Sequence, residues 1–349
     1  MKNYHFAIFI GRFQPYHNGH HHIISHGLTQ AEKMIVLCGS AHLPPSHRNP
    51  WSFNERKAMI LNSFSKEEAE RITLLPLMDS PYNDARWIQS VQTIVNGVIQ
   101  ALNTMPHNTP NCALIGHQKD HSSFYLKMFP QWDAIDVPNL DNLNATCLRE
   151  HYFSQVGHFS HSEPIFKDHT PQGTQQFFAQ DFKQADFDYI RAEHCFVEHY
   201  KQQWHAAPYP PIFVTVDAVV IQSGHLLLVK RRASPGKGLA ALPGGFIEQN
   251  EPLLTGCIRE LREETKLKIP DPVLRGCIKK VQVFDDPHRS ARGRTITHAF
   301  LIELPACEKL PKVKGGDDAQ KAFWLPLGEM KPEKMFEDHY FIVRHLLGE

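Results

Sequence analysis

The chain has 349 residues, 37 Lys+Arg against 37 Asp+Glu, and 42% hydrophobic residues. That length implies about two domains of roughly 150 residues each, and the composition is that of a globular protein rather than a disordered or collagen-like one. A formal net charge of +0 argues against a general nucleic-acid binder, which would carry a basic excess, but leaves room for a local phosphate site. No apolar run approaches the roughly 18 residues of a membrane span. The opening MKNYHFAIFIGRFQP lacks a secretory pattern, and the 7 cysteines contain no CxxC pair. Reduced thiols in the cytoplasm, with no membrane partner, are the expectation.

Short apolar runs rich in aromatic and β-branched residues predict strands at HFAIFI (5–10), MIVLCGS (34–40), RITLLPL (71–77), CALIGH (112–117) and DAIDVPN (133–139). Helices are expected between them over 18–30, 53–64, 84–101 and 120–128. Strand alternating with helix predicts an α/β fold built on a doubly wound parallel sheet. Residues 160–175 are polar with Pro and Gly and read as a connector. Apolar residues at helical spacing over 181–204 (Phe187, Ile190, Phe196, Val197, Tyr200, Trp204) predict a linking helix, which AAPYPP at 206–211 ends. The expected division is 1–180, a linking helix over 181–207, and 208–349. In the last part, FVTVDAVVI (213–221) and HLLLVKRR (225–232) flank a tight turn. A helix is expected over 252–266, with strands at 274–284 and 295–304.

GRFQPYHNGH (11–20) carries a glycine loop from the first strand into a helix start. Helix N-termini offer free N–H groups and a positive dipole end, which suit phosphate. His17 and His20 can add N–H donors, and Gly19 permits close backbone approach. The stretch resembles the HxGH motif of the nucleotidyltransferase superfamily, and its GRFQP lead-in is similar to archaeal-type nicotinamide mononucleotide (NMN) adenylyltransferases. Two further stretches carry the resemblance: GSAHLPPSHRNPWSFNERKAMI (39–60), and LNATCLR (143–149), in which Asn144 replaces the family's serine. The resemblance implies transfer of AMP from ATP to NMN, giving NAD and pyrophosphate. His17, His20 and Arg149 would act in the reaction, and Gly11, Arg12, Phe13, Gly19, Arg48, Gly116 and Thr146 would hold substrates. Trp87 would stack on the nicotinamide ring, helix packing being its other reading. Mg²⁺, or Mn²⁺, would neutralise the phosphates.

GGFIEQNEPLLTGCIRELREETKL (244–267) places Glu260, Glu263 and Glu264 on one helix face. Hard oxygen donors grouped in this way suit Mg²⁺ or Mn²⁺. The segment resembles the Nudix box, GX5EX7REUXEEXGU, from Gly245 through Glu251, Arg259 and the three glutamates. Lys266 stands where the box has its helix-ending glycine. Lysine suits a helix C-terminus by its charge but fits a left-handed cap poorly. VFDDPHRSARGRTITHAF (283–300) and GGDDAQKAFWLPL (315–327) are similar to ADP-ribose-type Nudix segments. They imply Arg292 and Arg294 as substrate contacts, with Asp317 or Asp318 as an extra acid or base. Together these motifs resemble the bifunctional NMN adenylyltransferase/Nudix hydrolase family, with an α/β/α Nudix sandwich following the parallel-sheet domain. The resemblance implies metal-assisted hydrolysis of ADP-ribose by Glu260, Glu263 and Glu264, with Arg259 orienting a carboxylate. ATP, NMN, NAD and ADP-ribose would be the small-molecule partners, and a homo-oligomer is compatible with it. The alternatives are an ADP-ribose sensor without cleavage, or a different dinucleotide as substrate.

Overall fold

A computed structural model describes residues 2–102, 110–117, 126–138, 144–154 and 164–349. The chain divides into two units, Met1–Arg191 and Ala192–Glu349. The first contains β1 (Tyr4–Gly11), α1 (Asn18–Gln30), β2 (Ala31–Cys38), α2 (Phe53–Leu61), α3 (Lys66–Ala69), β3 (Ile72–Pro76), α4 (Asp84–Leu102), β4 (Cys112–Gly116) and β5 (Asp133–Asp136). It continues through α5 (Ala145–Ser154), α6 (Pro164–His169), α7 (Gln172–Gln180) and the start of α8 (Gln184–Gln202). All five strands run parallel in the order β3-β2-β1-β4-β5. That order reverses direction beside β1, the switch point at which open α/β sheets bind ligands.

The alternation of side chains along β1 and β2 builds two cores. Ala7, Phe9, Met34 and Val36 face a cluster with Ile24 and Leu28 of α1 and Met59 and Ile60 of α2. Phe6, Ile8, Ile10, Ile35 and Leu37 face the opposite cluster, with Val91, Val95 and Val98 of α4. A strand buried on both faces must be apolar at every position, which is why HFAIFI and MIVLC read as unbroken runs.

The second unit holds β6 (Phe213–Gln222), β7 (His225–Arg231), β8 (Ala240–Ala241), β9 (Gly244–Phe246), α9 (Leu253–Thr265), α10 (Asp271–Gly276), β10 (Ile278–Phe284), β11 (Thr295–Glu303), β12 (Ala319–Pro326) and α11 (His339–Leu346). The main path of its mixed sheet is β10-β11-β6-β7-β12, with β8 on β7 and β9 on β6. Val216, Ala218 and Val220 of β6 pack under Cys257, Ile258 and Leu261 of α9. Asp217 alternates with them, and His339 of α11 stands 3.9 Å from it. Helices therefore flank this sheet on two faces, as the sandwich expectation required.

Three local expectations need correction. The 160–175 stretch carries α6 and the first turn of α7, separated by Thr170 and Pro171; Pro164 opens a helix at a position where its missing N–H costs nothing. The strand expected from 274 begins at Ile278, because Asp271–Gly276 forms α10 after Pro270. The sequence reading had no helix at α5. Much of the helix expected over 120–128 lies outside the described residues, as do residues 118–125 of HQKDHSSFYLKMFPQW (117–132), which from its place after the fourth strand is expected to line the nucleotide pocket. Among the described residues, no helix is long and apolar enough to cross a membrane.

Trp51 is 1% exposed and its ring lies 5.3 Å from Phe178 and 6.1 Å from Phe153. Trp51→Ala is expected to destabilise the first unit by about 3–5 kcal/mol. Calorimetry of the full chain checks this; a change under about 1 kcal/mol would mean the site collapses around the smaller side chain.

Candidate active sites

β1 ends at Gly11, and the chain turns through Phe13 at φ 54. β2 ends at Cys38, and Ser40 follows at φ 51. Both are non-glycine residues in the left-handed region, which something must hold in place. Arg56 of α2 does so. It is fully buried, and Nη1 donates to the carbonyls of Arg12 (2.6 Å) and Gly39 (2.7 Å), while Nη2 reaches Ser40 O (3.4 Å). Asp79 completes the hold by accepting from Ser40 N (3.0 Å) and Oγ (2.7 Å). Gln14 is clamped on Trp51, donating to its carbonyl (2.8 Å) and accepting from its N–H (3.1 Å).

His17 caps α1 in extended conformation, and His20 is one turn on. Their rings stack at 3.7 Å between centroids. A Cβ on Gly19 would lie 3.0 Å from His17 Cε1, so glycine leaves the space the ring needs. Burial, then the neighbouring His17, holds His20 well below the ordinary histidine pKa, and His17 N lies 3.4 Å from its Nδ1. The Phe13 ring is 1% exposed and stands 4.9 Å from His20. It supports the histidine from inside. Arg149 of α5 donates to Gln14 O and, at 3.1 Å, to Thr146 Oγ1. Burial, then Arg12 and to a smaller extent Arg48, lowers its pKa to about 10. The charges of Arg12 and Arg48 both act on Arg149, so positive charge gathers there.

The structure therefore brings Gly11, Arg12, Phe13, His17, Gly19, His20, Thr146 and Arg149 together at the carboxyl ends of the central strands. Trp87, in the first turn of α4, packs partly buried with its ring 6.0 Å from Phe129. Gly116 is buried at the end of β4, and a Cβ there would lie 2.9 Å from Leu126 Cδ2. Its lack of a side chain makes room for leucine.

In the second unit, α9 presents the acidic face. Arg259 donates to Glu251 (2.6 and 3.1 Å), Glu260 (2.9 Å) and Glu263 (3.0 Å). These bonds, that to Glu251 first, raise its pKa. Glu264 is 8% exposed and accepts from Gly244 N at 3.0 Å. Burial pushes its pKa up to about 8 and also raises that of Glu260. Glu260 Oε2 and Glu264 Oε1 have no hydrogen-bond partner among the described residues. Gly245 lies directly beneath, where a Cβ would sit 2.7 Å from Glu260 Oε1. The two free oxygens are hard donors for a divalent cation. Among the described residues no three His, Cys, Asp or Glu side chains already converge as a metal cage, because Arg259 sits amid the acidic face. Lys266 ends α9 at φ 53 and ψ 28. The lysine takes the left-handed cap despite its Cβ, and Gly316 N (3.2 Å to Glu264 O) and Lys314 N (2.8 Å to Thr265 O) bond the helix's last carbonyls.

The NUDIX domain family matches residues 211–346, and the Cytidylyltransferase-like family matches residues 8–96. A nicotinamide/nicotinic acid mononucleotide adenylyltransferase of Acinetobacter baylyi is 36% identical over 178 residues, 51% of this chain and 86% of that protein. An ADP-ribose pyrophosphatase of Methanocaldococcus jannaschii is 34% identical over 135 residues, 38% of this chain and 70% of that protein. The crystal structure of a bifunctional NMN adenylyltransferase/ADP ribose pyrophosphatase from Francisella tularensis, complexed with AMP and Mn ion, superposes with a TM-score of 0.87. It is 35% identical, and the match covers 99% of both chains. The chain belongs to the bifunctional NMN adenylyltransferase/ADP-ribose pyrophosphatase family.

Sequence reasoning missed the buried network behind the Nudix helix. Arg289 makes a two-pronged pair with Asp338 (2.9 and 3.0 Å) and lies 3.9 Å from Asp217. Asp217 also accepts from Thr297 Oγ1 at 2.5 Å. His339 Nδ1 accepts from Leu242 N at 2.9 Å, steadying the segment that delivers Gly244 N to Glu264. Glu337, at φ 43, accepts from Ala291 N at 3.0 Å. A charged residue in the otherwise apolar VTVDAVV strand was the available signal. Its partners Arg289, Thr297 and His339 lie far along the chain, beyond any local spacing rule. Arg292 stands 5.2 Å over the Phe246 ring, with its buried Nε unbonded among the described residues. Arg294 instead turns to the Asp285 carbonyl.

Gly245→Ala is expected to lower Nudix turnover at least about tenfold by displacing a metal-facing carboxylate, leaving adenylyl transfer unchanged; paired assays on the full chain check this. Burial pushes the His339 imidazole down from its ordinary 6.5 to about 3. Above pH 6.5 the ring is neutral folded and unfolded. As pH falls toward 3 the unfolded chain takes up the proton first, so stability drops by up to about 1.4 kcal/mol per pH unit. Acid titration of thermal stability should show a shallower loss for His339→Gln; equal slopes would contradict this.

Proposed function

We propose that the first unit transfers AMP from ATP to NMN and the second hydrolyses ADP-ribose to AMP and ribose 5-phosphate. One observation carries the reading: a single chain pairs a cationic N–H-donor site with an acidic site whose free oxygens suit a divalent cation. The first is made for polyphosphate. NMN's phosphate oxygen attacks the α-phosphorus of ATP, and the bond to pyrophosphate breaks. No protein nucleophile is required. His17 and His20 donate to the α-phosphate as charge builds there, Arg12 and Arg149 hold the β- and γ-phosphates, and Arg48 adds charge. Thr146 steadies Arg149, and Trp87 offers an aromatic face to the cationic nicotinamide.

In the second unit, Glu260 and Glu264 would hold Mg²⁺ or Mn²⁺ through their unpartnered oxygens, with Glu263 completing the set once released from Arg259. The cation supplies charge neutralisation and an acidified water. Arg259 keeps Glu251, Glu260 and Glu263 aligned. Arg292 offers its unbonded Nε to the substrate. Hydrolysis rather than sensing is favoured because every acidic position of the motif is present and two of its carboxylates are left under-bonded.

His17→Ala is expected to cut NAD synthesis by about 100-fold or more while ADP-ribose hydrolysis stays at the wild-type rate. Glu264→Gln should do the reverse, losing at least about 100-fold of hydrolysis only. If His17→Ala kept normal synthesis, the phosphate-site assignment would fail. If Glu264→Gln kept normal hydrolysis, the metal assignment would fail.

A further inference from the structure

The segment matched by the NUDIX domain family starts at residue 211, yet the second unit begins at Ala192, inside α8. Glu193 is 3% exposed. Its Oε2 accepts from Gly236 N at 2.8 Å, and its buried Oε1 has no hydrogen-bond partner among the described residues. A buried carboxylate with one idle oxygen is costly, so its position calls for a reason.

The loop it holds follows β7. Arg231 Nε donates to Pro235 O at 2.8 Å, one residue before the glycine that Glu193 fixes. The Arg231 guanidinium lies 4.0 Å from the centre of the Phe336 ring, and a Cβ on Gly236 would strike that same ring. Phe336 is itself pinned, its N–H bonding Ala240 O at 2.8 Å. The guanidinium is thus fixed at Nε and across one face. Its two terminal nitrogens make no hydrogen bond among the described residues. Its charge acts on Glu264 and is itself acted on by Arg292 and Glu337. A rigid guanidinium with an open fork matches two phosphate oxygens.

We propose that Glu193 is a positioning residue of the Nudix reaction: it fixes the Pro235–Gly236 turn, and the turn aims the open end of Arg231 at the pyrophosphate of a nucleoside diphosphate substrate. The inference rests on ADP-ribose hydrolysis by this unit, which the unmutated chain reports separately in the same experiment. The Nudix site of this chain therefore extends upstream of the matched segment, into the helix.

The test is a double-mutant cycle on the full chain with ADP-ribose and Mn²⁺. Arg231→Lys keeps the charge but loses the fork. Glu193→Ala and Arg231→Lys should each raise KM about tenfold, with kcat changed less than about threefold. Glu193→Gln, which keeps an acceptor for Gly236 N, should recover most of the lost affinity. In the Arg231→Lys background, Glu193→Ala should add less than about twofold, because both act on one contact. Equal factors in both backgrounds would make Glu193 merely structural and overturn the proposal, as would an unchanged KM. If Glu193→Ala does not fold, Glu193→Asp takes its place with the same criteria. A wild-type chain without hydrolysis would sink the functional reading instead.

Discussion

A guanidinium with its donors engaged fixes the phosphate-handling backbone or carboxylates in each unit. Arg56 is fully buried and bonds the carbonyls of Arg12, Gly39 and Ser40, with no carboxylate at ion-pair distance among the described residues. Burying a charge is expensive, and the Asp79 and Glu55 carboxylates offset part of that cost. The planar fork recovers a further part by meeting several acceptors at once. In the second unit Arg259 plays the opposite part, holding three carboxylates that would repel one another. Removing either arginine would release the segments that the reacting groups depend on, although neither needs to touch the reacting atoms.

The two sites perform chemistry of opposite sense on the same kind of bond. One forms a pyrophosphate link between two nucleotides, and the other breaks one. The first concentrates N–H groups and cations around His17, His20 and Arg149, as the proposed stabilisation of charge moving between phosphates requires. The second concentrates buried carboxylates whose pKa values are pushed up by desolvation, a state that a divalent cation relieves. Glycine serves both by its absent side chain. Gly19 admits the His17 ring over the helix start, and Gly245 admits the Glu260 carboxylate.

Much of this was legible in the sequence because it is local. The runs HFAIFI and MIVLC announce strands buried on both faces, and α1 and α4 follow from apolar spacing between them. The Nudix glutamates and the paired histidines are separated by fixed short intervals, so their grouping can be read without a structure. Arg56, Asp217, Arg289, His339 and Glu193 were not legible as site residues. Each acts on a partner brought close only by the fold, as Arg289 does on Asp338, 49 positions on. Lys266 shows the reverse limit: propensity argued against a left-handed lysine, but Lys314 and Gly316 bond the end of the helix around it, and tertiary context prevails.

The most direct test of the two-site account is phosphorus NMR on one sample of the intact chain with a divalent cation. ATP and NMN are supplied first, then ADP-ribose. The account predicts NAD and pyrophosphate from the first addition, and AMP with ribose 5-phosphate from the second. NAD formation with ADP-ribose left intact would contradict the hydrolytic half, and ADP-ribose cleavage without NAD would contradict the synthetic half.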